Sequence, residues 1–446
     1  MFSLHVWRNT LLFKNITLLT EDFAVEYNMD VRTDGARIVS VAPAGENGSS
    51  GERVIDGHGK LLMPGFYNAH AHLPMTLLRG YGESMKLMDW LEKKIFPFEE
   101  KLDGEACYNA SMLAIAESFS HGIMSSSDHY FFCEDTVRAA VESGAKLNIC
   151  RGLSFFDEIL DLTGFKPYQE SRDLFYGHHD TENGRIRVDI GIHSEYTATP
   201  SLIEAVADLS RETGVPVHVH ISETLSEHEE CKERYDGRTP IKVFADAGAF
   251  DNGGLAAHCV YVEEEDADIM SEMGITAITC PVSNMKLADG IARIPLLLEK
   301  GVNVAIGTDG MASNNSCNFF EEIKMLSLAA KVRFGDPTLI KPAEALYAAT
   351  RAGALAQGRP DCGIIKEGFR ADMIMLDLSA PSMNPVYEMA NNLVFSASSR
   401  DILMTMIDGL VVYENGAFPT VDIEKAISGT ERSRDRILAE LAEGAS

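Results

Sequence analysis

The feature that most constrains the fold is an alternation, from residue 61 onward, of short apolar runs with longer segments of helical periodicity. This alternation is typical of βαβ units, in which crossover helices join parallel strands. Eight candidate strands, the number in a (β/α)8 barrel, lie at 63–72, 123–130, 146–153, 187–196, 216–222, 254–260, 275–282 and 302–307. The sequence therefore predicts an α/β fold, a TIM barrel over residues 61–362.

The two ends of the chain show a different pattern, with short β-type runs separated by turn residues. The runs are 11–19, 37–41 and 53–55 near the start, and 371–378, 393–396, 403–407 and 410–414 near the end. We expect residues 1–60 and 363–420 to form one small, discontinuous β-sandwich domain. Residues 421–446 have helical periodicity and are predicted to form a charged C-terminal surface helix.

Composition excludes several classes of protein. The 446 residues carry a formal charge of −28, with a pI near 4.8, so a nucleic-acid partner is not expected. No run of 18 apolar residues and no signal peptide is visible, so we expect a cytoplasmic protein without a membrane partner. The eight cysteines form no CxxC pair and are expected to be reduced.

Polar residues recur at the carboxyl ends of the predicted strands. They are His70, His72, His193, His220, His258 and Asp309. In a (β/α)8 barrel this end carries the active site, because side chains from different strands converge there. The sequence therefore places a candidate site at this end.

The spacing of these residues indicates a metal site. His70 and His72 are two apart, so both imidazoles point to one face of a strand, although a pair of structural histidines has the same spacing. His218 and His220 repeat the spacing, and His218, nearer the strand middle, is expected to be buried and hydrogen-bonded instead. Asp309 ends an apolar strand, where an uncompensated charge is costly. Three imidazoles and one carboxylate suit Zn²⁺, and also accommodate Fe²⁺ or Mn²⁺.

The predicted fourth strand lacks a lysine that could bridge two ions as a carbamate. It reads Val-Asp-Ile-Gly-Ile-His over residues 188–193. One divalent ion per chain is therefore expected.

Several stretches resemble the amidohydrolase superfamily, and within it the methylthioadenosine/S-adenosylhomocysteine deaminases. They are 62–72 (LMPGFYNAHAH), 220–224 (HISET), 257–259 (AHC), 281–290 (PVSNMKLADG), 307–315 (GTDGMASNN) and 368–373 (GFRADM). The likeness extends over nearly the whole chain. Guanine, cytosine and triazine hydrolases share the metal motifs, so the subfamily is less well defined than the superfamily.

The resemblance implies a role for each residue of the candidate centre. The metal ligands would be His70, His72, His220 and Asp309. Glu223 would move protons at the ring nitrogen. His258 would orient the attacking water, and Asp309 and His258 would accept its proton.

The resemblance also implies substrate contacts. His193 would touch the substrate, Glu99 would hold ribose hydroxyls, and Trp90 would pack near the nucleoside. Glu99 also reads as a solvated helix-end acid, and Trp90 as a core residue. Arg151 would lie near the outer end of the substrate, and Arg172 offers a second such position.

The second strand departs from the family pattern. It ends in Asp128-His129-Tyr130, where members commonly have Asp-Met-Tyr, so His129 puts the substrate in doubt.

These observations predict a metal-dependent deaminase of adenine nucleosides that releases ammonia and an inosine-type product. A small-molecule nucleoside is the expected substrate, and a homo-oligomer the expected assembly. One alternative is a deaminase of a free base or another aminated heterocycle. A second is a metal-binding barrel that has lost catalysis.

Overall fold

A computed structural model describes residues 10–45, 51–85, 87–157 and 164–444. The strands among them are, in chain order, β1 Leu11–Leu19, β2 Val25–Asp34, β3 Arg37–Pro43, β4 Arg53–Asp56, β5 Lys60–Pro64, β6 Phe66–His72, β7 Ile123–Tyr130, β8 Lys146–Arg151, β9 Ile186–Val188, β10 Ile190–Gly191, β11 Val217–Ile221, β12 Gly254–His258, β13 Ile275–Thr279, β14 Val304–Ile306, β15 Asp309–Gly310, β16 Met373–Asp377, β17 Ile402–Ile407 and β18 Leu410–Glu414.

The helices of the same residues are α1 Leu87–Trp90, α2 Phe96–Glu99, α3 Gly104–Ser120, α4 Cys133–Ser143, α5 Lys166–His178, α6 Thr181–Gly184, α7 Pro200–Thr213, α8 Leu225–Arg234, α9 Pro240–Asp246, α10 Glu264–Glu272, α11 Pro281–Lys286, α12 Ile294–Glu299, α13 Phe319–Phe334, α14 Pro342–Ala349, α15 Arg351–Ala356, α16 Met389–Phe395 and α17 Ile423–Gly444. A π-helical turn, Leu91–Ile95, joins α1 to α2.

The barrel consists of two five-stranded parallel sheets, β15-β6-β7-β8-β9 and β10-β11-β12-β13-β14. β9 and β10 are two pieces of the predicted fourth strand, interrupted at Asp189. β14 and β15 are two pieces of the eighth, interrupted at Gly307 and Thr308. The strand order therefore runs from one to eight and returns to strand one, where Asp309 pairs with Ala71. The predicted TIM barrel is confirmed.

The barrel interior is a packed core at the end opposite the candidate site. Ala69, Leu255, Ile278 and Ala305 point inward from four strands and pack against Ala352 of α15. This packing leaves the carboxyl ends of the strands as the open end.

Both ends of the chain contribute to one eight-stranded sheet, in the order β18-β17-β16-β5-β1-β2-β3, with β4 paired to β1. The junction is the antiparallel pair β5–β16, in which Met373 lies opposite Pro64. Met373 and Met375 of β16 face a core that belongs to this sheet, whereas Ile374 and Leu376 face the core of the barrel. Because side chains alternate between the two faces of β16, this strand packs against both cores and joins the sheet to the barrel. The residue limits of the two units stay a prediction.

The structure differs from the sequence predictions at two places. Of residues 393–396, predicted as a strand, the three apolar residues 393–395 form the end of helix α16, where Leu393 and Val394 are buried, and Ser396 is its C-cap; a short apolar run fits either element. Strand β2 was not predicted, because Glu26, Tyr27 and Asn28 are exposed and hide its apolar face.

Helix α17 lies within the predicted segment 421–446 and buries one stripe of residues. Ala426, Gly429, Thr430, Ser433 and Ile437 are buried along it, and Ile437 belongs to the same apolar cluster as Phe98. Within the described part of the chain, no helix combines the length and apolarity needed to cross a membrane.

Candidate active site

The predicted polar residues meet at the carboxyl end of the barrel. Two groups of potential metal ligands have all their ligand atoms within 4.8 Å of one another. One group is His70, His72 and His220, and the other is His70, His258 and Asp309. Because His70 belongs to both, the five side chains form one buried cluster, which we call the histidine cluster.

The Nε2 atoms of the histidine cluster face a common point. His72 Nε2 lies 3.3 Å from His220 Nε2 and 3.2 Å from Asp309 Oδ1. His70 Nε2 lies 3.5 Å from the same carboxylate oxygen and, though buried, has no hydrogen-bond partner. Nitrogen and oxygen atoms that converge in this way from several strands form an arrangement that a cation stabilises.

The other ring nitrogen of each histidine is held by the protein. His72 Nδ1 donates to the carbonyl of His129 (2.5 Å), and His220 Nδ1 donates to the carbonyl of His193 (2.7 Å). His70 Nδ1 lies 2.9 Å from Nε2 of His218, so the prediction that His218 is buried and hydrogen-bonded is confirmed. Such contacts fix the tautomer and direct the Nε2 lone pairs into the site.

Asp309 is held in a strained backbone conformation. Its φ is +62°, which costs a non-glycine residue on the order of 1–3 kcal/mol. The hydroxyls of Ser283 and Ser313 each donate to Oδ2 at 2.6 Å, which leaves Oδ1 facing His70 and His72. The strained backbone at Asp309 is consistent with a functional role, because this conformation places its carboxylate beside His70 and His72.

Burial sets the charge of the histidine cluster. It lowers the pKa of His70 to about 3 and that of His220 well below the ordinary value. Burial alone would raise the pKa of Asp309, but the adjacent imidazoles of His70 and His72 hold it well below its usual range. Burial lowers the pKa of His72 as well, but Asp309 and Asp128 outweigh burial and the pKa of His72 is raised. Imidazoles together with a carboxylate are the donor set of a divalent cation.

Glu223 and His258 lie side by side on the wall of the same site. His258 Nδ1 is 3.7 Å from Glu223 Oε1. Burial raises the pKa of Glu223 well above its ordinary range, with further contributions from Asp309 and Glu227. The raised pKa favours the protonated form of Glu223, which a general acid needs.

Two functional residues were missed at the sequence level. Asn284 Oδ1 accepts a hydrogen bond from His258 Nδ1 at 2.8 Å, and this fixes the imidazole. Asp289 is hydrogen-bonded to Glu223, and burial raises the pKa of Asp289 to about 8. Both lie in the stretch 281–290, and the resemblance of this stretch to the family was the only sequence feature that could have identified them.

The cluster opens into a cavity of about 380 Å³, a size typical of small-molecule sites. Its wall includes Trp90, Glu99, His193, Glu223 and His258. His193 Nδ1 lies 3.0 Å from the hydroxyls of Ser194 and Thr197, and burial lowers the pKa of His193 to about 4.

Glu99 and Trp90 reach this wall from the segment before α3. Glu99 accepts a hydrogen bond from the Tyr130 hydroxyl (2.6 Å), and burial raises the pKa of Glu99 to about 7. It is therefore a partly buried acid rather than a solvated one. Trp90 is 6% exposed and donates from Nε1 to the carbonyl of Tyr81, so it belongs both to the core and to the pocket wall.

His129 also lines the cavity, stacked on His220 with ring centroids 5.0 Å apart. It is buried, and both of its ring nitrogens lack a hydrogen-bond partner. Gly152 permits this position, since a Cβ there would lie 2.6 Å from His129 Nε2. The family departure noted in the sequence therefore alters the pocket wall.

The structure does not bring the two arginines to the pocket wall. Arg151 pairs with Glu170 (3.1 Å) and lies over the ring of Phe131, which lines the pocket. Arg172 pairs with Glu212 (2.9 Å) on an exposed surface. Neither is among the residues that line the cavity, because a nearer carboxylate holds each guanidinium.

Known proteins resemble the chain over most of its length. Residues 61–412 match the model of the amidohydrolase family. A 5-methylthioadenosine/S-adenosylhomocysteine deaminase of Dictyoglomus thermophilum is 39% identical over 381 residues, 85% of this chain and 88% of the relative. A 5'-deoxyadenosine deaminase of Methanosarcina mazei is 35% identical over 390 residues, 87% of this chain and 89% of the relative.

Among solved structures, an adenosine deaminase from Xanthomonas campestris with bound zinc superimposes with a TM-score of 0.91. It is 28% identical, and the match covers 96% of this chain and 98% of the other. The family model covers well over half of the chain. The matched residues include the barrel and the histidine cluster at the carboxyl ends of its strands. The chain belongs to the amidohydrolase family.

Proposed function

We propose that this protein is a metal-dependent deaminase that hydrolyses the amino group from the purine ring of an adenine nucleoside. The products are ammonia and an inosine-type nucleoside. The observation that carries the proposal is the pairing of Glu223 and His258, 3.7 Å apart, beside the histidine cluster in one cavity. Relatives named as adenine nucleoside deaminases support the choice of substrate.

One divalent ion is proposed to bind His70, His72, His220 and Asp309. The orphaned, buried His70 Nε2 supports this, because a buried nitrogen without a partner is costly unless a ligand compensates it. The mixed nitrogen and oxygen donors suit Zn²⁺, as in the zinc-bound Xanthomonas campestris structure, and accommodate Fe²⁺ or Mn²⁺. When bound, such an ion lowers the pKa of water toward about 7, which makes hydroxide available at neutral pH.

The protein side chains then divide the proton transfers. His258, oriented by Asn284, and Asp309 accept the proton of the attacking water. Glu223, with Asp289 beside it, delivers a proton to the ring nitrogen next to the amino-bearing carbon, so that negative charge does not build up there. A further proton delivered to the exocyclic amine expels it as ammonia. An acid that does not bind the metal plays the same part in unrelated zinc deaminases.

The remaining wall residues are proposed to hold the nucleoside. Glu99 accepts hydrogen bonds from ribose hydroxyls, His193 contacts the base, and Trp90 packs against the nucleoside. Their shared position on the cavity wall supports these roles.

Ammonia release from a panel of substrates tests the proposal. Purified protein of known metal content would receive adenosine, 5'-deoxyadenosine and 5'-methylthioadenosine, and in parallel adenine, guanine and cytosine. We expect the nucleosides to react and adenine to be far poorer, because ribose partners are left unpaired without the sugar. Faster turnover of guanine or adenine than of every nucleoside would favour the free-base alternative. An inert, metal-replete protein would favour the binding-only alternative.

A further inference from the structure

Glu223 has to release a proton inside the barrel, and its surroundings oppose the charge that this release leaves behind. Burial opposes the ionisation of Glu223 most strongly, and the carboxyl groups of Asp309 and Glu227 add to this effect. His258 Nδ1 lies 3.7 Å from Glu223 Oε1, but it is already hydrogen-bonded to Asn284 Oδ1 at 2.8 Å. A buried carboxylate that accepts no hydrogen bond is costly, so the proton transfer needs a donor beside Glu223.

Asp289 is placed to be this donor. Its side chain is 6% exposed and is hydrogen-bonded to Glu223. Two carboxyl groups are hydrogen-bonded only while at least one of them carries a proton. No donor among the described residues reaches the buried Oδ2 atom of Asp289, so an ionised Asp289 would leave its charge without compensation. The neutral, protonated form of Asp289 is therefore the one that fits its surroundings.

The backbone around Asp289 fixes its carboxyl group in place. The N–H of Asp289 donates to the carbonyl of Asn284 at 2.9 Å, and its own carbonyl accepts from the Tyr261 hydroxyl at 2.6 Å. Asn284 also holds His258, so one connection after β13 positions the partners of both His258 and Glu223. Asp289 is not among the described residues that line the cavity, and it therefore acts on a substrate only through Glu223.

We infer that Asp289 is a positioning residue that stays protonated and donates a hydrogen bond to Glu223, so that Glu223 can release its proton to the substrate. This role rests on the proposed nucleoside deamination and belongs to one of its steps. The O–H bond of Glu223 breaks as an N–H bond forms at the purine ring nitrogen. The negative charge left on Glu223 accepts the hydrogen bond from Asp289, whose own proton stays in place. Because a hydrogen bond to a charged group is the stronger one, this contact strengthens as the proton moves and favours kcat.

The state of Asp289 makes this role dependent on pH. Burial and the Glu223 carboxyl raise the pKa of Asp289 to about 8; Asp309 adds to the increase, and His258 opposes it. The other titratable side chains near the pair are His72, Tyr196, Glu227, Tyr261 and Cys280. Below about pH 8 the donor is present, whereas above it Asp289 becomes a second negative charge beside Glu223. Turnover should therefore fall as the pH rises through about 8.

Two substitutions separate a donor from a packing residue, with the full-length, metal-replete enzyme and 5'-methylthioadenosine as substrate. Asp289→Ala removes the donor and should lower kcat about 10- to 100-fold at pH 7, while KM and metal content stay nearly unchanged. Asp289→Asn supplies an amide N–H from a side chain of the same size and should recover most of that loss. Steady-state kinetics and elemental analysis measure these quantities.

The pH profile gives a readout that a packing role would not change. In the wild-type enzyme kcat should fall about tenfold per pH unit above about pH 8, as expected when one group titrates. Asp289→Asn should lack this decline, because an amide does not titrate. Tyr261→Phe is the matched control, since it removes the hydrogen bond to the Asp289 carbonyl and leaves the carboxyl group; it should lower the melting temperature and keep the decline.

Infrared titration follows the protonated carboxyl group without any turnover. A carboxyl band that disappears near pH 8 in the wild-type protein should be missing in Asp289→Asn. The absence of such a band from the wild-type protein would show that Asp289 is ionised, and the assignment would be wrong.

The kinetic outcomes separate the role of Asp289 from the function on which it rests. If Asp289→Ala keeps the wild-type kcat, or if Asp289→Asn keeps the decline near pH 8, Asp289 does not assist Glu223, and nucleoside deamination stands. If Tyr261→Phe loses the decline as Asp289→Asn does, the placement of the loop rather than the proton of Asp289 is responsible, and the assignment also fails. If no nucleoside releases ammonia, the proposed function itself is wrong, and the infrared titration still decides whether Asp289 is protonated.

Discussion

Buried charged groups lie at both ends of the barrel, and the two ends neutralise them differently. At the amino end, Lys146 Nζ pairs with Asp372 and, at 2.8 Å, with Asp408. The Tyr67 hydroxyl also donates to Asp372, and Arg359 donates to backbone carbonyls that include that of Arg185. This amino-end network joins the first residue of β8 to the strands of the small sheet.

The pKa shifts express the same contrast. Burial lowers the pKa of Lys146, but Asp372 and Asp408 outweigh it and the pKa is raised. At the carboxyl end, burial is not outweighed for His70, whose pKa falls to about 3. The amino end is thus an internally paired network that stabilises the fold, whereas the carboxyl end directs imidazole and carboxylate donor atoms into a cavity. Buried charged groups therefore stabilise the fold at the amino end of the barrel, and buried polar groups form a candidate binding site at its carboxyl end.

The largest expected effect of a substitution is at the carboxyl end. Glu223→Gln should lower kcat about 10²- to 10⁴-fold while metal content stays near normal, because Glu223 is proposed to move protons without binding the ion. Steady-state kinetics with elemental analysis measures both.

Glu227→Gln is the matched control for Glu223→Gln. The Glu227 carboxylate accepts backbone N–H groups of Ser222 (2.8 Å) and Glu223 (2.7 Å), so we expect a lower melting temperature and a much smaller change in kcat. Loss of metal from Glu223→Gln, or near-normal turnover, would contradict its assignment.

The next largest effect is expected at the amino end. Lys146→Met leaves Asp372 buried without its cation and should lower the free energy of unfolding by about 3–5 kcal/mol. The kcat per folded, metal-bound molecule should not change. Denaturant unfolding and kinetics measure the two quantities.

The double variant Lys146→Met with Asp372→Asn should recover part of that loss, since it removes both charges. Lost turnover with unchanged stability in Lys146→Met would show that the amino end takes part in catalysis, and the contrast between the two ends would fail.

A smaller effect concerns pH. Burial raises the pKa of Glu99 to about 7, so this carboxyl group, which is proposed to accept ribose hydroxyls, is largely protonated at pH 6 and ionised at pH 8. Affinity for an inosine-type nucleoside should therefore rise about tenfold over this range, as expected for one titrating group. Affinity for hypoxanthine, which lacks ribose, should not share this change.

Two variants identify the titrating group. Glu99→Gln should abolish the sugar-dependent pH effect. Tyr130→Phe should move its midpoint to higher pH, because the hydrogen bond from Tyr130 lowers the pKa of Glu99. A pH effect that persists in Glu99→Gln would exclude Glu99 as its source.

The smallest effect is expected away from both ends. Arg172 and Glu212 form an exposed pair, with side chains 36% and 39% accessible. Arg172→Ala should change stability by less than about 1 kcal/mol and leave kcat/KM for every nucleoside unchanged. A substrate-dependent change in KM would restore Arg172 to the list of substrate contacts.

The sequence predicted the parts of the site that follow from strand geometry. His70 and His72 lie two residues apart on β6, and His220 and His258 end neighbouring strands, so their convergence follows once the barrel is recognised. The eight barrel strands were predictable for the same reason, since apolar runs mark them.

Other parts of the site and of the fold depend on contacts between segments that are distant in the chain, and the spacing of residues along one strand does not predict such contacts. Asn284 reaches His258 from helix α11, which follows the next strand of the barrel. Arg151 was expected at the substrate, but Glu170, 19 residues later, holds it in the fold. Residues 393–395 are helical because Leu393 and Val394 pack in the barrel core from helix α16.

The central claim is that one divalent ion at the carboxyl ends of the strands makes this barrel a nucleoside deaminase. Titration of metal-free protein with Zn²⁺, following bound ion and ammonia release from 5'-methylthioadenosine together, tests it most directly. We expect activity to rise in proportion to bound ion and to level off at one ion per chain. Full activity without metal, or a plateau that requires two ions per chain, would contradict it.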